Sequence, residues 1–168
     1  EGIANIGSIE TMINFVSKAI AEKTQNAGSY FSYILKTKLL ILAVVVLAMI
    51  VFSNQITSFL IQKPELSFAF ILSSVFLLFY SISTFFRSVF FAVKNLKTVF
   101  YLNLIESIVR IILVIGFVSI ASSSYYAIAG YVLSLAIISL VLFFAIKKQY
   151  SYLFESKNSI NKKEVNDF

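Results

Sequence analysis

Cysteine, histidine and tryptophan are absent from the 168 residues, and proline occurs once. Without cysteine there is no disulfide and no thiol nucleophile. Without histidine, the usual zinc and haem ligand sets and imidazole acid–base chemistry are lost. No phosphate loop, metal box or nucleophile elbow is present either, so the chain reads as a non-enzyme needing no cofactor and no metal. Charge is also scarce, at 13% of residues against 59% apolar. That is far more hydrophobic surface than a soluble domain of this size can bury, and it belongs in a bilayer.

Four apolar runs are long enough to cross a hydrocarbon core of about 30 Å, which takes roughly 20 helical residues. They lie at about 38–61, 66–91, 99–121 and 127–146. In lipid every backbone polar group must find an internal partner, so each run should be an α-helix despite its β-branched and aromatic residues. The connections are short: Gln62-Lys63-Pro64-Glu65, then Lys94, Asn95 and Lys97, then Ser122-Ser123-Ser124. Pro64 suits the first turn of the helix it precedes. The expected fold is all-α, a polytopic transmembrane bundle of four spans plus an N-terminal helix.

Residues 1–37 read as an amphipathic or truncated membrane helix followed by a cytoplasmic loop, because Ile9, Ile13, Val16 and Ile20 share one helical face and Phe15 and Ala19 widen it. The four-span region then covers 38–147, and residues 148–168, rich in Lys, Asn, Ser and Glu, read as a cytoplasmic linker or tail. The chain starts at Glu1 rather than at a methionine, and the expectation is a fragment of a longer protein.

A net charge of +6 would suit nucleic acid, but the lysines gather at the ends of the apolar runs, where they face anionic headgroups instead. Nucleic acid is therefore not an expected partner, and membrane lipid is. Lys18, Lys23, Lys36 and Lys38 precede the first span, Arg87, Lys94 and Lys97 border the middle connection, and Lys147, Lys148, Lys157, Lys162 and Lys163 follow the last. The positive-inside rule then places both ends and the middle connection in the cytoplasm, in a multi-pass protein of the cell membrane. Tyr30, Tyr33, Tyr101, Tyr125 and Tyr126 fall at span ends and read as an interfacial belt.

The chemistry is in the polar residues inside the spans. Ser73, Tyr80, Thr84 and Arg87 recur on one face of the second, and Asn103, Glu106, Ser107 and Arg110 on one face of the third. Two such stripes on consecutive helices suggest a shared interior surface. Near the middle of a span, Glu106 and Arg110 each cost about +2.5 to +3.5 kcal/mol, against about −0.3 to −0.6 for each Leu, Ile, Phe or Val. The third span therefore depends on its neighbours, and its charged face should point into the bundle. Intramembrane charge is a functional lead by default, and it points to a transporter.

Plainer readings exist for each residue. Glu106 and Arg110 can be a neutralising i, i+4 pair that locks helices together. Arg87, close to the cytoplasmic end, can snorkel to phosphates. The serines and threonines commonly bond backbone carbonyls, and Gly130 with Ser134 forms a small-xxx-small pair suited to close helix packing.

With these residues in place, the chain resembles the lipid-linked oligosaccharide flippases, the Wzx-type polysaccharide biosynthesis proteins of the MOP exporter superfamily. MINFVSKAIAEK, Met12 to Lys23, is similar to the cytoplasmic end of the family's second helix. FFRSVFFAVKNLKTVFYLNLIESIVRIILVI, Phe85 to Ile115, resembles its fourth helix, basic loop and fifth helix, and AIAGYVLSLAI, Ala127 to Ile137, its sixth. The resemblance implies part of one lobe, the N-terminal one, of a MATE-like transporter, with the remaining helices of the full-length protein as partners. It also implies alternating-access export of a polyprenyl-diphosphate-linked oligosaccharide through a cationic cavity. Arg110 would hold the phosphate there, while Arg87, Glu106, Asn103, Tyr80 and Thr84 complete the expected substrate site. Glu106 would keep Arg110 oriented, or exchange it for a coupling cation. Two alternatives stay open: a multidrug or small-molecule exporter of the same superfamily, and a non-transporting membrane subunit.

Overall fold

A computed structural model describes residues 13–14, 16–18, 27–120 and 123–154. The described residues contain no strand, and four helices are long and apolar enough to cross a membrane. Helix α1 spans Ala27–Val51, α2 Ser67–Ala92, α3 Leu96–Ile120 and α4 Ser124–Gln149. The fold is the all-α bundle its composition calls for. In the N-terminal segment Val16 is fully buried, whereas Ile9, Phe15, Ala19 and Ile20 lie outside the described residues, as does the tail beyond residue 154.

Helix α1 begins at Ala27, well ahead of the expected start near Lys38. Lys36 and Lys38 read as the edge of the span, yet Lys38 is 5% exposed, with its ammonium 5.4 Å from the centroid of the Phe85 ring. A lysine resting on an aromatic face can stay inside a helical run, because the ring quadrupole attracts the cation. At its far end α1 continues through Ser53–Gln55 into a π-helical turn, Ile56–Leu60. Thr57, fully buried there, donates its hydroxyl to the Ser53 carbonyl at 2.9 Å, and Ser67 reaches across from α2 to donate to Asn54 Oδ1 at 2.6 Å.

Pro64 opens a 3-10 turn, Pro64–Leu66, that leads into α2. The next connection is tighter. Lys94 takes a left-handed φ of 57°, the Asn95 N–H reaches back to the Phe90 carbonyl at 2.8 Å, and the Lys94 N–H bonds the Phe91 carbonyl at 3.0 Å. This is a Schellman-type stop, which satisfies the orphan carbonyls at the end of α2. Asn95 then starts α3, its Oδ1 accepting the Thr98 N–H at 3.3 Å while its Nδ2 donates to the Tyr150 hydroxyl at 3.1 Å.

Helix α4 packs extensively along both α2 and α3, α1 lies against α2, and α2 touches α3 far less. In space the order is therefore α1, α2, α4, α3. Gly130 makes this possible: a Cβ at that position would stand 2.9 Å from the Leu113 carbonyl oxygen and 3.0 Å from Val114 Cα, so α4 and α3 meet backbone to backbone. Ser139 ties α4 to the other neighbour by donating to the Phe79 carbonyl at 3.1 Å. The buried core gathers at the end holding the α2–α3 turn, where Phe31, Phe85, Phe90, Leu142, Ile146 and Leu153 are fully buried. On α3 the opposite pattern holds: Leu104, Ile108, Ile111, Ile112 and Ile115 are all exposed, the surface expected of a helix solvated by hydrocarbon.

Candidate functional site

The two polar stripes meet at one residue. Glu106, on α3, is only 4% exposed. Its carboxylate binds two guanidiniums, with Arg87 on α2 donating through Nη2 to Oε2 and Arg110 on α3 donating through Nη2 to Oε1. The Arg110 pair is the i, i+4 contact that the spacing offers. Arg87 adds a second helix to it, so its side chain turns into the bundle and does not run out along the membrane surface.

The cluster carries two positive charges and one negative. Exposure is graded within it: the Glu106 side chain is 6% exposed, Arg87 18% and Arg110 32%. The carboxylate is therefore covered, and the guanidiniums are the accessible members. The Nε atoms of both arginines are buried with no hydrogen-bond partner among the described residues. Guanidinium has five donors in a planar fork, so each arginine here keeps donor capacity that Glu106 does not use.

An aromatic wall continues from the cluster. The Arg110 guanidinium lies 4.5 Å from the centroid of the Tyr131 ring on α4, a distance at which the ring face attracts the cation. Phe76 of α2 sits 5.3 Å from Tyr131, centroid to centroid, and 5.6 Å from Tyr80 with planes 16° apart. Three helices thus contribute: Arg87, Phe76 and Tyr80 from α2, Glu106 and Arg110 from α3, and Tyr131 from α4.

Of the expected site residues, Arg87, Glu106 and Arg110 come together and Tyr80 stands beside them. Thr84 and Asn103 do not join the ion cluster. The Thr84 hydroxyl donates to the Tyr80 carbonyl at 2.7 Å, and Asn103 is exposed, its own carbonyl accepting the Ser107 hydroxyl at 2.9 Å. A threonine in a helix can satisfy itself on the preceding turn, and this one does. Tyr131 and Phe76 were not anticipated. The available signal for Tyr131 was a tyrosine one turn inside a span, away from the interfacial ends that its neighbours Tyr125 and Tyr126 occupy.

Four helices long and apolar enough to cross a membrane, three of which carry a net-cationic cluster around the covered Glu106, point to a multi-pass membrane protein. Residues 3–168 match the family described as polysaccharide biosynthesis protein, and the chain belongs to that family. No curated protein and no solved structure matches it.

Proposed function

We propose that the chain is part of the N-terminal lobe of a transporter, not an enzyme, that moves a polyprenyl-diphosphate-linked oligosaccharide across the cytoplasmic membrane for surface glycan synthesis. The observation that carries this reading is the positive charge shared by Arg87 and Arg110 that Glu106 leaves uncompensated among the described residues. A helix lock needs no excess charge, since one arginine neutralises one glutamate. The surplus guanidinium is costly inside a membrane unless an anion visits it, and a diphosphate is such an anion. Arginine suits the task because it stays charged when desolvated and presents a planar fork to phosphate oxygens. Membership of the polysaccharide biosynthesis family supports the same cargo class.

In this mechanism Arg110, the more exposed of the two, meets the diphosphate first, and Arg87 completes the grip from α2. Both chain ends and the Lys94–Lys97 connection face the cytoplasm, where the cargo is made, and the remaining helices of the transporter enclose the other side of the path. The drug-exporter alternative asks Glu106 to bind a coupling cation or cationic cargo. Its two oxygens are already held by two arginines, which weighs against that role.

The test is flipping of lipid-linked oligosaccharide by the full-length protein in proteoliposomes. Removing one partner from a desolvated charge contact costs about 2–5 kcal/mol, so Arg110→Ala should slow flipping by at least about tenfold at about 1.4 kcal/mol per decade. Arg110→Lys, which keeps the charge but not the fork, should fall between. Flipping at the parental rate in Arg110→Ala would remove the proposal.

A further inference from the structure

Glu106 is the best-buried ionisable group of the cluster, and the transport reading leaves it without a task of its own. We infer that Glu106 is a resident anion that occupies the two-arginine site when it is empty and is displaced by the diphosphate of the cargo. This inference rests on the function proposed above and adds how the site opens.

The geometry is that of a placeholder. Each carboxylate oxygen takes one guanidinium, and the two guanidiniums come from different helices. A carboxylate with one charge and two oxygens leaves the cluster one charge short, and it leaves Arg87 Nε and Arg110 Nε without acceptors. A diphosphate brings more charge and more oxygens than Glu106 can offer, so it satisfies donors that the resident anion leaves unmet. A monophosphate does so less completely. Because Arg87 and Arg110 are half-buried and Glu106 is covered, a ligand meets a guanidinium edge before the carboxylate, and the arginines then turn their remaining donors to it.

Displacement has a structural consequence. Helices α2 and α3 touch little compared with their shared contacts to α4, and Glu106 makes a polar tie between them. When the arginines turn to the ligand, that tie is released and α2 and α3 are free to shift relative to each other. Among the described residues, the charged and titratable groups around Glu106 are Arg87 and Arg110, with the Tyr131 and Tyr80 rings beside the guanidiniums.

The experiment uses the full-length protein in lipid nanodiscs, with farnesyl diphosphate and farnesyl monophosphate as probes. Parental protein should bind the diphosphate more tightly than the monophosphate. Glu106→Gln removes the competing charge at nearly constant shape, and it should bind farnesyl diphosphate about tenfold more tightly, a difference of about 1.4 kcal/mol. Equal or weaker binding by a Glu106→Gln protein that melts at the parental temperature overturns the inference. If that variant does not fold, the parental protein decides. A hydrophobic carbodiimide, which modifies carboxyls in apolar sites once they are free of a cationic partner, should label Glu106 more in the presence of farnesyl diphosphate than without it. Labelling that is unchanged or reduced overturns displacement. If parental protein binds no farnesyl diphosphate at all, the cargo reading itself fails and takes this inference with it; parental binding with a failed Glu106 result sinks the placeholder alone.

Discussion

Gly130 shows how much of this bundle hangs on one missing side chain. The atoms that a Cβ would meet at 2.9 and 3.0 Å are backbone atoms of α3, which cannot rotate away as a side chain would. Overpacking at such a contact costs about 1–3 kcal/mol. Gly130→Ala should therefore lower the melting temperature of the purified protein, and Gly130→Val should lower it further. Equal melting of all three proteins would mean that α3 and α4 are not in close contact at this level. Arg87 is a second case at this scale: its sequence neighbourhood fits a surface cation equally well, and only the approach of Glu106 from α3 assigns it to the interior.

At the scale of the elements, the turn between α2 and α3 does more than reverse the chain. Asn95 caps α3 through its Oδ1 and holds the end of α4 through its Nδ2 on the Tyr150 hydroxyl, and Tyr150 packs edge to face on Phe90 at 5.9 Å. Loss of a cap costs about 1 kcal/mol, and Asn95→Ala should reduce thermal stability by that amount or more. Asn95→Asp keeps the capping oxygen but loses the donor to Tyr150, so it should recover part of the loss. If Asp and Ala variants melt alike, the cap contributes little and the link to Tyr150 carries the effect.

The helices themselves were legible in the sequence, since hydrocarbon leaves an apolar run of this length no other way to satisfy its backbone. So were the two polar stripes, because a helical period puts Glu106 and Arg110 on one face whatever surrounds them. The spatial order was not. Helix α4 stands between α2 and α3 through Gly130 and the Ser139 contact to Phe79; the small-xxx-small pair signals close packing of α4 but not which helix it packs on, and Ser139 leaves no local signal. For the same reason Tyr131 escaped notice, as its place beside Arg110 depends on where α4 inserts. Helix α1 starts ahead of the apolar run, and Lys38 lies within it because of its burial against Phe85, a long-range contact that a charge-based boundary cannot see.

In the molecule as a whole, charges that hold helices together respond to replacement differently from charges that handle cargo. Replacing a buried ion triad with apolar residues of similar volume is often neutral, or stabilising by about 1–4 kcal/mol, because the desolvation cost disappears. The same replacement abolishes any anion site. The most direct measurement is therefore flipping of lipid-linked oligosaccharide by the triple variant Arg87→Met, Glu106→Leu, Arg110→Met, reconstituted beside the parental protein with melting temperatures recorded for both. The prediction is a folded protein of equal or greater stability whose flipping falls to the background of protein-free vesicles. A triple variant that flips at the parental rate would contradict it and reduce the cluster to a mechanical lock.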